Sequence, residues 1–172
     1  VAFPLMNGDK ETGVTIIQMD EKMDHGPIIV QEKTEILPNE RKDQLTNRLT
    51  EIAYGLFKQA ILNIAESRQL FTQAQDETAA TYTRLLTKQD GFIEIDVLKN
   101  MLQNEPNTIF NKFRGLYPWP GVWTVNRFKN KDLRIKITDM DLIEGKLVIR
   151  KVQLEGKKEV EFMQFNKVFN LI

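Results

Sequence analysis

Cysteine is absent from the 172 residues, and histidine occurs once. The first absence excludes a disulfide, a thiol nucleophile and a thiolate-bound metal within this chain. The second disfavours a zinc cluster or a mechanism built on two histidines, so no metal is expected. No apolar run approaches the roughly 18 residues that span a bilayer. The opening Val-Ala-Phe-Pro-Leu-Met-Asn-Gly has neither the basic start nor the long apolar stretch of a secretion signal. A cytoplasmic, membrane-free protein is the default expectation.

What is present suffices for a soluble fold. An apolar content of 41% in 172 residues can bury the core of one medium domain or two small ones. The formal net charge of zero conceals a gradient. Residues 1–75 hold 8 Lys/Arg against 11 Asp/Glu, a net of −3, whereas residues 107–172 hold 13 against 7, a net of +6. A basic tail of this kind is compatible with a solvated face and equally with contact to phosphate.

Residues 13–19 and 27–32 are short β-branched runs that read as strands, separated by a polar loop ending in glycine. After Pro38 and the candidate cap Asn39, the spacing predicts a long helix. Leu45, Leu49, Ile52, Ala53, Leu56, Phe57, Ala60, Ile61 and Ile64 recur at three- and four-residue steps. That stripe needs more partner surface than two strands supply. Residues 66–80 lack periodicity and read as a connection, with a boundary near Gln75. Beyond it, Val97, Leu98, Met101 and Leu102 suggest a short helix. Pro106 suits the first position of another, with Ile109, Phe110, Phe113 and Leu116 on its apolar face and Pro118 and Pro120 stopping it. Strands are predicted at 122–125, 133–137, 146–154 and 160–163, with turns at 130–132 and 144–146. No internal repeat is evident.

The loop Asp20-Glu21-Lys22-Met23-Asp24-His25-Gly26 is the densest polar cluster of the amino-terminal half. A carboxylate held at a strand end beside apolar neighbours is suited to handling protons near neutral pH. The same residues fit an alternative in which Asp24 only shapes a turn and His25 is exposed, and spacing does not decide between them.

Six collinear segments carry a resemblance. They are Asn-Gly-Asp-Lys-Glu-Thr-Gly-Val-Thr (7–15), Met-Asp-Glu-Lys-Met-Asp-His-Gly-Pro-Ile-Ile (19–29), Gln-Asp-Glu-Thr-Ala-Ala-Thr-Tyr (75–82), Lys-Gln-Asp-Gly-Phe-Ile (88–93), Phe-Arg-Gly-Leu-Tyr-Pro-Trp-Pro-Gly-Val-Trp (113–123) and Val-Gln-Leu-Glu-Gly-Lys-Lys (152–158). In order and over nearly the whole chain, they resemble the methionyl-tRNA formyltransferases of the formyltetrahydrofolate-dependent formyltransferase family. The resemblance implies an α/β, Rossmann-like formyltransferase core remnant followed by a small OB-like β-barrel with flanking helices. The implied domains are residues 1–67 as the carboxy-terminal part of the catalytic core, 68–80 as a linker and 81–172 as the tRNA-binding domain.

In that family an amine attacks the formyl group of 10-formyltetrahydrofolate through a tetrahedral oxyanion. An Asn and a His polarise the formyl oxygen, and an Asp positions them and helps remove the amine proton. The matching carboxylate is Asp24, expected in a cleft between the two β-runs. Asp20, Glu21, Met23, His25 and Gly26 match the loop that touches the folate, and Gly13 and Gly26 suit its tight turns. His25 does not match the family's catalytic histidine. That residue belongs to an Asn-x-His and Ser-Leu-Leu-Pro segment placed upstream in the family and not found in this sequence. Val-Ala-Phe-Pro-Leu-Met-Asn-Gly matches the end of the helix that follows it. A truncated chain without useful turnover of its own is therefore expected.

For the tail, the resemblance implies initiator methionyl-tRNA as partner and a monomeric protein. Candidate phosphate contacts are Arg114, Arg127, Lys129, Lys131, Arg134, Lys136, Lys157 and Lys158. Trp119 and Trp123 read as packing residues around the Pro-Trp-Pro-Gly corner. Two departures bear on this domain. The stretch between Leu-Arg-Ile-Lys-Ile and Val-Gln-Leu-Glu-Gly-Lys-Lys is short for the family, so the barrel is expected to be incomplete, and Ile95 replaces a customary aromatic. A sugar-nucleotide formyltransferase and a non-catalytic RNA-binding module remain as alternative functions.

Overall fold

The structure is a computed structural model that describes residues 1–67 and 69–171. Packing divides the chain into two compact units. One comprises Val1–Asp9, Pro38–Asp43 and Leu85–Ile172, and the other Lys10–Leu37 and Gln44–Arg84.

The second unit is built on an antiparallel hairpin of β1 (Glu11–Ile17) and β2 (Ile28–Glu35). Glu11 lies opposite Glu35 and Ile16 opposite Val30, with a bulge between Ile16 and Ile17. Gly13 sits inside β1 opposite Lys33, so it serves no turn. An added Cβ there would come within 2.6 Å of the Glu32 carbonyl oxygen, and close strand approach is what requires glycine. Helix α2 (Lys42–Ser67) follows. It begins three residues after Asn39, which lies in the preceding turn and does not cap it. Leu45, Leu49, Leu56 and Ala60 are buried. Phe57 and Ile61, expected on the same stripe, are 54% and 50% exposed. Each sits one residue and about 100° beyond a buried position, off the covered face. The Arg48 guanidinium ties the helix to the hairpin, donating to Thr34 Oγ1 and the Glu35 carbonyl at 2.6 Å each.

The first unit has a short helix α1 (Ala2–Asn7), closed by Gly8 at φ 77°. Glycine there adopts the left-handed conformation that ends a helix. Helices α3 (Ile95–Asn104) and α4 (Pro106–Leu116) precede a four-stranded antiparallel meander. Its strands are β3 (Val122–Phe128), β4 (Lys131–Ile143), β5 (Lys146–Leu154) and β6 (Glu159–Glu161), and α5 (Phe162–Phe169) follows. Residues 162–163, expected to continue the last strand, begin this helix instead. Pro106 occupies the first turn of α4, where its missing N–H costs nothing. Two consecutive left-handed residues close each long hairpin, Lys129-Asn130 and Glu144-Gly145, as tight two-residue turns require.

Leu98, Ile109, Phe113, Leu116, Val122 and Ile135 anchor the apolar core between α3, α4 and the sheet. Burying such side chains stabilises by about 1.5–3 kcal/mol each. The Arg41 guanidinium stacks 4.8 Å from the Tyr117 ring and pairs with Asp139.

The implied architecture is met in part, as helices with two antiparallel sheets. Among the described residues the core remnant shows no parallel sheet, because β1 and β2 pair antiparallel and Ile28 bridges Gln73 antiparallel as well. The four carboxy-terminal strands stay open in the order β3-β4-β5-β6, so no barrel closes. The stretch that is short for the family forms one long ribbon. A register shift around Thr138 lets β4 continue to Ile143 opposite Lys146, as a bulge permits.

Candidate active site

The loop between β1 and β2 is shaped by backbone constraints at its ends. Gln18 N–H donates to the Pro27 carbonyl at 2.9 Å, closing the neck. Gly26 is buried there, and any Cβ would stand 1.8 Å from the Gln18 carbonyl oxygen. No other residue fits this position without moving the backbone. At the tip, Asp24 adopts φ 53°. This is a left-handed conformation that Asp tolerates better than most residues.

The loop is stitched to a segment about fifty residues away. Ile28 and Gln73 exchange backbone hydrogen bonds at 2.7 and 2.8 Å. The Gln75 side-chain amide donates to the carbonyls of Asp24 at 3.0 Å and Gly26 at 2.7 Å. Asp76 accepts from Thr78 N–H at 3.0 Å and caps the short turn Glu77–Ala79. Part of what reads as a connection in sequence is therefore an edge partner of the hairpin.

His25 completes the attachment. Its Nδ1 lies 2.6 Å from Asp20 Oδ2, and its Nε2 contacts Glu77 Oε1. Ionised carboxylates only accept hydrogen bonds, so satisfying both contacts requires a proton on each ring nitrogen. Hydrogen bonds to Asp20, then to Glu77, raise the pKa of His25 above its ordinary value, because they favour the charged form. The same bond to His25 holds the Asp20 carboxyl below the usual range. Lys22 Nζ is 3.4 Å from Nε2. With the ring doubly protonated, that approach is a charge repulsion and not a hydrogen bond, and it works against the two carboxylates.

Asp24 lies at a left-handed turn position and not in the cleft between the β-runs that the resemblance implied. Its side chain is exposed, and among the described residues its carboxylate makes no hydrogen bond or ion pair. A groove of ≈ 420 Å³ in this unit is lined by Ile29, Val30, Leu56, Ala60, Ile64 and Phe71 among others. None of residues 20–26 lines it. Position 24 is fixed through its backbone alone, with the carboxylate free to meet a partner from outside the unit. Glu21 is exposed, and Met19 and Met23 are 88% exposed, apolar surface flanking the acidic tip. No group of three or more His, Asp or Glu that could hold a metal occurs among the described residues.

The basic candidates of the tail fall into three kinds. Arg114 is 5% exposed and donates to the Glu40 carbonyl at 3.2 Å and Asn111 Oδ1 at 2.7 Å. It is a buried structural cation with no face for phosphate. Arg134 and Lys136 lie on the outer face of β4 but are engaged by the protein. Arg134 reaches Glu155 at 3.2 Å and stacks 4.2 Å from the Trp123 ring, while Lys136 Nζ donates to the Pro118 carbonyl at 2.9 Å. Burial and the neighbouring Arg134 lower the Lys136 pKa. Arg127, Lys129 and Lys131 at the β3–β4 turn, and Lys157 and Lys158 at the β5–β6 turn, are exposed. Trp123 packs as expected, its indole N–H donating to the Lys88 carbonyl at 3.0 Å and its ring 4.7 Å from Phe92. Trp119 does not, being 54% exposed.

The formyl transferase family profile matches residues 2–61, spanning α1, the hairpin and most of α2. The methionyl-tRNA formyltransferase of Syntrophus aciditrophicus is 31% identical over 96% of this chain and 57% of its own length. The chain spans about half the length of the curated relatives it matches. Among solved structures, HypX from Aquifex aeolicus in complex with tetrahydrofolic acid superposes with a TM-score of 0.68 at 14% identity, over 98% of this chain and 32% of that one. WlaRD, a sugar 3N-formyl transferase, gives 0.58 at 17% identity, over 91% and 60%. At such identities these structures show the fold, an α/β arrangement of helices and two antiparallel sheets shared with formyltransferases. The profile match and the ordered likeness along the sequence show that the chain belongs to the formyl transferase family.

Proposed function

We propose that this chain serves the transfer of a formyl group from 10-formyltetrahydrofolate to the amino group of initiator methionyl-tRNA, a step of translation initiation in the cytoplasm. On this reading residues 1–67 are the carboxy-terminal part of the catalytic core and 81–172 the domain that meets the tRNA, with 68–80 the linker between them, of which residues 73–77 also hold the hairpin loop. The observation that carries this reading is the extent of the likeness. It covers 96% of the chain in one methionyl-tRNA formyltransferase, including the tail beyond the family profile.

Bound to the loop, the folate would supply the formyl group. Exposed Met19 and Met23 offer apolar contact to a flat ring, and the loop's fixed backbone would position it. Asp24, whose carboxylate is unencumbered, would accept the proton leaving the attacking amine. The exposed cations Arg127, Lys129, Lys131, Lys157 and Lys158 would face the tRNA backbone.

A sugar-nucleotide acceptor is the second reading, favoured by the fold shared with WlaRD. Filter binding to tRNA at rising salt separates the two. Removing one cation that pairs with a phosphate should reduce the slope of log affinity against log salt by about 0.7–0.9, so Arg127→Ala and Lys131→Ala should each flatten it. Salt-independent binding, or preference for a sugar nucleotide over tRNA, would overturn the tRNA assignment.

A further inference from the structure

We propose that His25 is a positioning residue. Protonated on both ring nitrogens, it bridges Asp20 and Glu77, holding the loop that carries Asp24 against residues 73–78, and the loop loosens when that proton leaves. The assignment of a catalytic purpose to this bridge rests on the reading of Asp24 given above.

The geometry leaves little choice of protonation state. A neutral imidazole has one N–H, so one of the two carboxylate contacts would become a meeting of lone pairs. The charged groups around the ring are few. Asp20 and Glu77 touch it and favour the cation, and Lys22 at 3.4 Å opposes it. Of the remaining neighbours, Glu21 is exposed, Asp76 is occupied by Thr78, and Asp24 points its carboxylate to solvent.

Loss of the proton would break one of the two contacts, either the one to Asp20 within the loop or the one to Glu77, 52 residues away in sequence. The Gln75 amide and the Ile28–Gln73 pair do not titrate, so the neck of the loop stays attached. Residues 20–25, distal to that neck, gain freedom. The device therefore grades the order of the tip without dismantling the hairpin.

His25 is the sole histidine, so one ring signal reports it without assignment by mutation. The test is a titration of the His25 ring resonance in the intact chain between about pH 5 and about pH 9. Amide protection of residues 20–26, corrected for intrinsic exchange, is followed in parallel. The midpoint should lie above the ordinary value of about 6.5, and Glu77→Gln should lower it. Protection of the loop amides should fall by about tenfold with the same midpoint. A midpoint at or below the ordinary value, or protection that ignores it, overturns the proposal. Formyl transfer is not read in this experiment, so the bridge can fail while the family chemistry stands. Conversely, transfer by an enzyme bearing Asp24→Asn would sink the functional reading and leave the bridge in place.

Discussion

The two β-regions of this chain solve the same problem by opposite means. The β3–β6 sheet is held by an apolar layer, with Val122, Ile135, Ile137, Met140 and Val152 all buried against helices. The β1–β2 hairpin has no buried residue on either strand. Its loop is kept in shape by Gly26, the Gln75 amide and a charged imidazole. The apolar region should be indifferent to pH and sensitive to volume, and the polar one the reverse.

The sharpest way to break this contrast is Phe113→Ala, at a residue 1% exposed in the core. It should cost about 3–5 kcal/mol, seen as a lower denaturant midpoint by tryptophan fluorescence, since both tryptophans lie in the same unit. Next comes Gly26→Ala, where the collision with the Gln18 carbonyl should destabilise the hairpin by about 1–3 kcal/mol. Amide exchange in β1 and β2 reads it, and an unchanged exchange pattern would show the neck to be pliable.

A smaller effect follows from titration, and its sign is fixed by the direction of each shift. The His25 pKa is raised on folding, so its contribution is fully present below about 6.5 and is lost as pH rises through the folded value. The Asp20 pKa is lowered, so its contribution is present above the ordinary carboxylate range and lost as pH falls through the folded value. Hairpin protection should thus peak between these limits, and Asp20→Asn should flatten both flanks. Smallest is Asp24→Asn, which should alter stability by no more than about 0.5 kcal/mol. In a formyltransferase that contains the whole site, the same change should lower transfer by about 10²–10⁴-fold.

Much of the fold was legible wherever the signal is local. Pro106 and the 109, 110, 113, 116 spacing announce α4 because helix capping and periodicity are encoded within a few residues. The distal half of β4 was missed because the register shift at Thr138 interrupts strict alternation, and Asp139 and Asp141 look like loop residues until their partners Arg41 and Arg150 are placed. Helix α2 shows a complementary failure. Its periodicity reveals that Phe57 and Ile61 are apolar at helical spacing, yet burial depends on what lies opposite.

In the site, the loop's density of charge drew notice from composition alone. Glu77 did not, since nothing in its own neighbourhood tells that it meets a residue 52 positions earlier. For Asp24 the sequence offered both a turn position and a cleft, and only tertiary packing chose the exposed turn. Sequence likeness carries identity of a residue, whereas its surroundings are set by tertiary packing.

The β4–β5 ribbon outruns its neighbours. β3 pairs only as far as Ile137 and β6 reaches no further than Lys151, so beyond these points neither margin of the ribbon has a strand partner among the described residues. Such margins invite a stray strand from another molecule. Lys146, Glu144 and the Asp141–Arg150 pair at 2.9 Å set charge along that stretch, and such charges are what discourages a foreign strand from docking on an edge.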